Sequence, residues 1–297
     1  MAHVPVLLQE TIEGLNLSTG KTVFEGTLGA GGHARKIIEQ IMPGGMYIGC
    51  DRDGTFLDIT SRVLVEEFPS YVDHMRFVHG NYRDVSKMLR VYNTYVDAAL
   101  LDIGFSSWHI ESSKRGFGLR SDEILDMRYD VSQGDGVAVI LNSTSESDLA
   151  NIFYQYGEER LSRQIAKAIV ARRRTQKIYT AKDLAQIIWD AVPGWYRNGK
   201  IHPATRTFQA LRIYVNDELG ALETFLSEVL NCVKKGGRVA IISFHSLEDR
   251  MVKNAFRLYN KEKRAKEITK KPITPSLKEI QSNPKSRSAK LRIIEKT

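Results

Sequence analysis

The chain has 297 residues, about twice the usual domain size, so it forms one large domain or two. Hydrophobic residues make up 42% and charged residues 26%, as in globular proteins, and no apolar stretch approaches the ~20 residues of a membrane span. With two cysteines, seven scattered histidines and no signal peptide, we expect a cytoplasmic protein without a disulfide framework, a metal site or a membrane partner.

Strands and helices alternate in the first third of the chain. Strand character is found at 22–27, 45–51, 75–80 and 96–102, and helical patterns lie between these segments at 34–42, 55–67 and 83–91. This alternation predicts an α/β fold with a parallel sheet and right-handed crossovers.

A long helical segment then interrupts the pattern. Helices are predicted at 147–156, 158–174 and 181–192, and the next strand comes only at 237–244, after a helix at 215–233. We therefore predict an inserted helical domain at 108–205 and a core formed by 1–107 and 206–297.

The C-terminal segment carries the positive charge. After a predicted helix at 246–258, residues 288–296 are predicted as a terminal antiparallel strand. Residues 253–297 hold 14 lysines and arginines against four glutamates, so of the total charge of +8 they carry +10 and the remainder carries −2. Such a segment suits a polyanion such as RNA, and a solvated basic tail is the alternative.

A glycine-rich turn, EGTLGAGGH at 25–33, follows the first strand and precedes a helix. Asp51 ends the second strand about twenty residues later, where an acidic side chain suits ribose hydroxyls. The pattern predicts a cofactor that contains a nucleoside. Because Gly29, Gly31 and Ala34 also fit a dinucleotide fingerprint, an NAD(P)-dependent oxidoreductase remains an alternative.

The fourth strand ends in LLDIGFSS at 100–107. Asp102 followed by an aromatic, Phe105, resembles the Asp-Pro-Pro-aromatic signature of amino-group methyltransferases. A carboxylate there can accept N–H bonds from a conjugated amine and orient its lone pair for in-line transfer. Neither Cys50 nor Cys232 is placed to act as the nucleophile that methylation at cytosine C5 requires.

Ten blocks in the same order resemble the MraW (RsmH) family of bacterial 16S ribosomal RNA cytosine-N4 methyltransferases. They span nearly the whole chain: HVPVLLQETIEGLNL (3–17), GTLGAGGHARKII (26–38), DRD (51–53), LLDIGFSS (100–107), RGFG (115–118), LDMRYD (125–130), YGEERLSRQIAKAIV (156–170), HPATRTFQALRIYVNDEL (202–219), ISFHSLEDRMVK (242–253) and NPKSRSAKLR (283–292). The resemblance implies a class I (Rossmann-like) methyltransferase sheet with an inserted helical substrate-recognition domain. It also implies S-adenosyl-L-methionine as the cofactor and transfer of its methyl group to a cytosine N4 in the decoding region of 16S rRNA.

The resemblance also implies site residues. The cofactor-binding positions of the family fall on Gly31, Gly32, His33, Asp51, Tyr82, Asp102 and His109. The family usually has Phe at Tyr82 and Gln at His109, and it has Asp-Gly-Pro where this chain has Asp-Glu-Ile at 122–124. Asp102 and His245 are the candidate catalytic residues, His245 as a proton acceptor or a hydrogen-bonding partner of the base.

The predicted partner is 16S rRNA in the small ribosomal subunit, bound by a monomer or a homodimer. The candidate RNA-binding residues are Arg206, Arg212, Lys285, Arg287, Lys290 and Arg292, although both Arg206 and Arg212 could instead pair with acids such as Asp217 or Glu218. Arg172–Arg174 are further candidates for phosphate, and Trp195 and Tyr196 for stacking on unpaired bases. A non-catalytic RNA-binding assembly factor is the third functional alternative.

Overall fold

The computed structural model describes residues 5–104 and 106–297, and of Ser107 it describes the backbone only. Phe105 and residues 1–4 lie outside the described residues, and these include the first two residues of the block at 3–17. The helices are α1 (Leu8–Leu15), α2 (Gly32–Ile41), α3 (Gly54–Glu67), α4 (Val85–Val91), α5 (Ser107–Glu111), α6 (Val137–Ser143), α7 (Glu146–Gly157), α8 (Ser162–Thr175), α9 (Ala181–Ala191), α10 (Gly194–Arg197), α11 (Thr205–Asn216), α12 (Glu218–Cys232), α13 (Ser246–Lys261) and α14 (Leu277–Ser282). Within the described ranges, no helix is long and apolar enough to cross a membrane.

The chain divides into two compact units. One consists of Met1–Gly104 and Leu219–Thr297, and the other is the continuous segment Phe105–Glu218. The first unit contains the whole sheet and the second is helical.

The first unit is built on a seven-stranded sheet in the order β3-β2-β1-β4-β5-β7-β6. Its strands are β1 (Thr22–Glu25), β2 (Met46–Asp51), β3 (Met75–His79), β4 (Val96–Asp102), β5 (Val233–Ser243), β6 (Ala265–Glu267) and β7 (Lys290–Lys296). Strands β1 to β5 are parallel, and β7 is antiparallel to both β5 and β6. This confirms the α/β class and the class I methyltransferase sheet.

Both faces of the sheet are covered, as expected for a mainly parallel sheet. Neighbouring residues of one strand enter different apolar clusters: Val23 and Leu100 join the cluster that includes α2, whereas Phe24 and Leu101 join the one that includes α12 and α13. Because successive side chains of a strand point to opposite faces, each cluster is the core of one face.

The predicted strands are confirmed, with differences at their ends. The fifth begins at Val233 instead of residue 237, and the terminal strand pairs antiparallel with it as predicted. Strand β6 was not predicted, because three residues are too few to show a period-two pattern.

Two predicted helices change their bounds because an acidic residue adopts the left-handed conformation. Glu158 (φ 49°) caps the end of α7, so the next helix begins at Ser162. Asp217 (φ 46°) separates α11 from α12, where a single helix over 215–233 was predicted. A short polar side chain such as that of Asp217 tolerates this conformation, so α11 ends there without glycine.

The helical unit has its own apolar core, formed by buried side chains from Phe117 to Leu211. Helix α11 supplies Phe208, Ala210 and Leu211 to that core. The unit therefore extends to Glu218, whereas the sequence placed its end at 205.

Candidate functional site

The glycine-rich turn joins β1 to α2 at the carboxyl edge of the sheet. Leu28 N–H donates to the Cys50 carbonyl oxygen (2.8 Å) and Gly31 N–H to that of Leu28 (2.9 Å), so the turn is held between β1 and β2. Gly29 (φ 51°) and Gly31 (φ 73°) are left-handed, which glycine adopts without a steric cost. Gly31 also caps the N-terminus of α2.

Three of the four glycines in the turn, those at 29, 31 and 32, are there for different reasons. A Cβ on Gly32 would lie 2.3 Å from Pro5, and one on Gly31 would lie 2.9 Å from Thr60, so both are required by packing. A Cβ on Gly29 would approach nothing closer than a backbone oxygen at 4.0 Å. The turn is therefore open at Gly29, where a ligand can approach the backbone.

Asp51 ends β2 and is bound to the turn. Its Oδ2 accepts from Gly29 N–H (2.8 Å) and its Oδ1 from Asp53 N–H (2.9 Å). A carboxylate offers about four acceptor positions, so Asp51 can hold the turn and also accept from ribose hydroxyls. The side chain is half-buried, which leaves part of it accessible.

Asp102 ends β4 at the same edge. Its side chain is 18% exposed; Oδ1 accepts from Gly104 N–H (3.3 Å), and Oδ2 lies 3.9 Å from Nδ1 of the buried His33. Burial raises the pKa of Asp102 to about 7; the Gly104 amide opposes the shift and the charge of Glu248 adds to it. The carboxyl group therefore changes its charge near neutral pH.

His33 and Tyr82, two of the predicted cofactor-binding residues, lie near the same edge of the sheet, His33 on α2 and Tyr82 after β3. The His33 Nε2 lies 3.2 Å from the Val6 carbonyl oxygen, and its other nitrogen faces Asp102. Tyr82 packs edge-on against Phe225 (5.8 Å between ring centroids), and its Cβ would be 2.8 Å from a Cβ on Gly26. The structure thus brings His33, Asp51, Tyr82 and Asp102 to one end of the sheet, around the turn.

Glu25 is a residue of this edge that the sequence analysis missed. It is 1% exposed and accepts a hydrogen bond from the hydroxyl of the buried Tyr47 (2.6 Å). Burial raises the pKa of Glu25 to about 8; the Tyr47 hydrogen bond opposes this, and the charges of Asp102 and Asp51 add to it. The signal in the sequence was an acidic residue at the end of an otherwise apolar strand, directly before the first glycine.

His245 follows β5 and caps α13. Its Nδ1 accepts from Glu248 N–H (3.4 Å), and Glu248 in return accepts from the His245 N–H, which makes a capping box. The Nε2 of His245 lies 2.8 Å from Oε1 of Glu248. Glu248 therefore fixes this histidine.

The cysteines bear on the reaction class. Cys50 and Cys232 are both buried, and burial raises the pKa of each thiol. Thiols held in their neutral form are poor nucleophiles, which agrees with the prediction against a covalent cysteine mechanism.

Three of the predicted site residues in the helical unit are buried or half-buried. His109 is buried, and its ring packs against Phe117 (5.2 Å) and Tyr129 (5.0 Å). Arg206 is half-buried and hydrogen-bonds to Tyr196. Arg212 is 9% exposed and donates two hydrogen bonds of 2.9 Å to the Glu218 carboxylate.

The basic residues near the C-terminus fall into two groups. Lys285 and Arg287 are exposed on a 3-10 helix at Pro284–Ser288. Arg292 is 5% exposed and donates to Oδ1 of Asp249 (2.7 Å), and Lys290 lies 3.1 Å from the other oxygen of Asp249. Two predicted RNA contacts therefore need correction: the guanidinium groups of Arg212 and Arg292 form buried ion pairs within the protein and do not present a surface to phosphate.

The cofactor implied by the resemblance is S-adenosyl-L-methionine. It carries a ribose, an adenine and a positively charged sulfonium and amino group. The turn is open at Gly29, Asp51 supplies acceptors for hydroxyl groups, and Asp102 and Asp51 bring negative charge to the edge of the sheet. The residues present therefore fit this cofactor.

Comparison with known proteins finds relatives that match nearly the whole chain. A protein of Syntrophus aciditrophicus named "Ribosomal RNA small subunit methyltransferase H" is 42% identical over 310 residues, covering 99% of this chain and 97% of that protein. One of Nostoc punctiforme with the same name is 46% identical over 295 residues, covering 99% and 94%. Among solved structures, a putative rRNA-methylase from Clostridium thermocellum covers 100% of both chains at 12% identity and a TM-score of 0.47, a level of likeness from which we infer nothing.

The sequence profile of the MraW methylase family matches residues 1–297. This match and the identities above confirm the resemblance found in the ten blocks, and with it the prediction of a methyltransferase that uses S-adenosyl-L-methionine. The chain belongs to the MraW methylase family.

Proposed function

We propose that this protein transfers a methyl group from S-adenosyl-L-methionine to the exocyclic N4 amine of a cytosine in the decoding region of 16S rRNA, within the small ribosomal subunit. The observation that carries this proposal is the family match over the whole chain, together with relatives named for methylation of small-subunit rRNA. We also propose that the protein acts in the cytoplasm, as a monomer or a homodimer.

The charges at the turn favour this cofactor over a dinucleotide. In dinucleotide-binding folds the pyrophosphate lies at the N-terminus of the helix after the glycine turn. Here the carboxyl groups of Asp51 and Asp102 border that turn. Asp51 suits the ribose of either cofactor, but the charge of Asp102 attracts the cationic groups of S-adenosyl-L-methionine and disfavours a pyrophosphate, which speaks against the NAD(P)-dependent alternative.

We assign cofactor binding to Gly31, Gly32, His33, Asp51, Tyr82, Asp102 and His109. Asp51 accepts from the ribose hydroxyls, and the glycine turn lets the backbone approach the ligand. When bound, the cofactor supplies an electrophilic methyl group. The helical unit is proposed as the part that recognises the substrate.

Asp102 is proposed as the residue that orients the amine. The lone pair of a cytosine N4 amine is conjugated with the ring, so the amine is a weak nucleophile. The Asp102 carboxylate would accept a hydrogen bond from its N–H, direct the lone pair towards the methyl group and take up the proton that the amine loses as the N–C bond forms. The target base must leave its stack to reach this edge, and His245 is proposed to hydrogen-bond it.

The test is methyl transfer to isolated 30S subunits. Purified protein with radiolabelled S-adenosyl-L-methionine should place the label in 16S rRNA, and digestion to nucleosides should show it in N4-methylcytidine. Label in a different nucleoside would overturn the proposed chemistry. RNA binding without any transfer would favour the non-catalytic assembly factor.

A further inference from the structure

Helix α8 of the helical unit carries an unusual charge pattern. Its 14 residues include Arg163, Lys167 and three consecutive arginines at 172–174, and they include no acidic residue. Arg163, Lys167 and Arg174 are all exposed. At 100° per residue they lie within about 40° of one another around the helix axis, and they extend over about 16 Å along it. We call these three residues the α8 stripe.

Several exposed cations elsewhere on the described part of the chain have a carboxylate partner. Lys36 pairs with Glu39, Lys87 with Asp84, Lys182 with Asp122 and Lys234 with Asp97. Within residues 5–104 and 106–297, no ion pair involves a member of the α8 stripe. Arg172 and Arg173 point elsewhere on the helix, where they donate to Gln176 and to the Leu141 carbonyl oxygen.

An exposed aromatic residue lies on the short helix α10. Trp195 is 71% exposed. Two contacts connect this region to the beginning of α8: Gln164 Nε2 donates to the carbonyl oxygen of Ala191, the last residue of α9 (2.6 Å), and the hydroxyl of Tyr196 on α10 donates to Glu159, which lies just before α8 (2.6 Å). Glu159 is fully buried and its other oxygen accepts from Leu161 N–H (2.8 Å), which fixes this junction.

We propose that the α8 stripe and Trp195 form a face that binds a single-stranded segment of the RNA substrate, the three cations contacting successive phosphates and the indole stacking on a base. This inference rests on the proposed function, since it supposes an RNA substrate. A row of cations without carboxylate partners gains the full electrostatic benefit of a polyanion, because no internal ion pair must be broken. An aromatic surface next to such a row is the usual arrangement in proteins that bind single strands.

The charge contribution is tested by R163A/K167A/R174A, with binding of a 20-nucleotide single-stranded RNA measured between 0.05 and 0.3 M salt without cofactor. At about 0.7 units of salt slope per contact, losing three contacts should flatten the slope by about 2 and weaken binding roughly 50-fold at 0.15 M salt. The matched control K36A/K87A/R264A removes the same charge from three exposed cations that pair with acids, and it should leave the slope nearly unchanged.

Alanine favours helix, so the triple variant should keep its circular dichroism and melting temperature; R163Q/K167Q/R174Q replaces it if it does not. W195A should weaken binding of the single strand about fivefold to 150-fold, as for loss of one stacked base, and should affect a duplex of the same sequence much less. The inference is overturned if folded stripe variants bind with the wild-type affinity and salt slope, or if the stripe and control variants lose affinity equally.

A different result contradicts the proposed function: no methyl transfer to 30S subunits by the wild-type protein. A wild-type protein that methylates 30S subunits, together with a stripe variant that binds RNA normally, rejects this face alone.

Discussion

At the scale of single residues, the carboxyl groups at the sheet edge differ in how burial and partners set their charge. Burial raises the pKa of Glu25 to about 8 and that of Asp102 to about 7. Asp249 behaves in the opposite way: burial opposes the change, but hydrogen bonds from Arg292 and Lys290 lower its pKa. Asp102 is the one of the three that we propose to act on the substrate amine.

The first prediction concerns Asp102. If its carboxylate orients the amine, kcat/KM for S-adenosyl-L-methionine, which reports the free enzyme, should rise as pH increases through about 7. D102N keeps the size of the side chain but removes the charge, so its single-turnover rate at saturating cofactor should fall at least tenfold, and its kcat/KM should lose this pH dependence. A wild-type rate in D102N would leave Asp102 a binding or structural residue only.

A second prediction separates the two roles of His245. H245A removes the helix cap and should lower the free energy of unfolding by about 1 kcal/mol. H245N keeps a capping side chain, so its urea denaturation midpoint should stay near that of the wild type. If the imidazole contacts the base, methyl transfer should be slow in both variants; normal transfer by H245N would restrict His245 to capping α13.

The third prediction is a pH dependence of stability caused by Glu25. Its pKa in the folded protein lies above the ordinary 4.5, so between about pH 4.5 and 8 the unfolded chain has lost a proton that the native state keeps. Stability should therefore fall as pH rises through that window and level off above it. E25Q should remove this part of the fall, measured by urea denaturation at pH 5, 7 and 9.

The matched control for E25Q is E39Q, which changes an exposed glutamate of the same unit. It should leave the pH dependence of stability as in the wild type. The assignment to Glu25 would be contradicted if E25Q and the wild-type protein lost stability in parallel between pH 5 and pH 9.

At the scale of elements, strand β7 places part of the basic segment in the core of the first unit. Arg292 lies opposite Ile241 of β5, and its charge is compensated by Asp249 on α13. Lys285 and Arg287 remain on the surface, on the 3-10 helix before β7. A count of charges therefore overestimates the number of cations that this segment offers to RNA.

The fourth prediction follows from that division. K285A/R287A should weaken RNA binding and flatten its salt slope by about 1 to 2 units, with little change in stability. R292A should instead destabilise the protein by roughly 3 kcal/mol, because it breaks a buried ion pair. Salt titrations and urea denaturation of both variants test this; a stable R292A variant with reduced RNA affinity would return Arg292 to the RNA-binding set.

At the scale of the whole molecule, each unit has an apolar core of its own, and the proposed cofactor residues lie in the first unit with the exception of His109. Ligand binding to the native state raises stability by about 2.7 kcal/mol at a ligand concentration 100 times the Kd. The fifth prediction is that S-adenosyl-L-methionine at this concentration raises the melting temperature measured by calorimetry.

D51A serves as the comparison for that measurement. Losing a charged hydrogen-bonding group worth about 1.5–3 kcal/mol should weaken cofactor binding roughly tenfold to a hundredfold. The melting temperature of D51A should rise clearly less at the same cofactor concentration. Stabilisation of the wild-type protein by NADH but not by S-adenosyl-L-methionine would overturn the cofactor assignment.

The sequence by itself determined the parallel sheet, the glycine turn with Asp51, Asp102 at the end of β4 and the membership of the family. These features depend on local patterns: buried parallel strands are continuous apolar runs, and a sharp turn towards a ligand needs glycine. They can be recognised without knowing which residues meet in space.

Only the tertiary structure decided which charged groups are partners. Arg212 and Glu218 are six residues apart, whereas Asp249 and Arg292 are 43 apart, and both pairs are buried. Nothing in their local sequence distinguishes these arginines from Arg163 or Arg174, which have no carboxylate partner among the described residues. The difference arises because burial penalises an uncompensated charge, and burial is set by how distant elements pack.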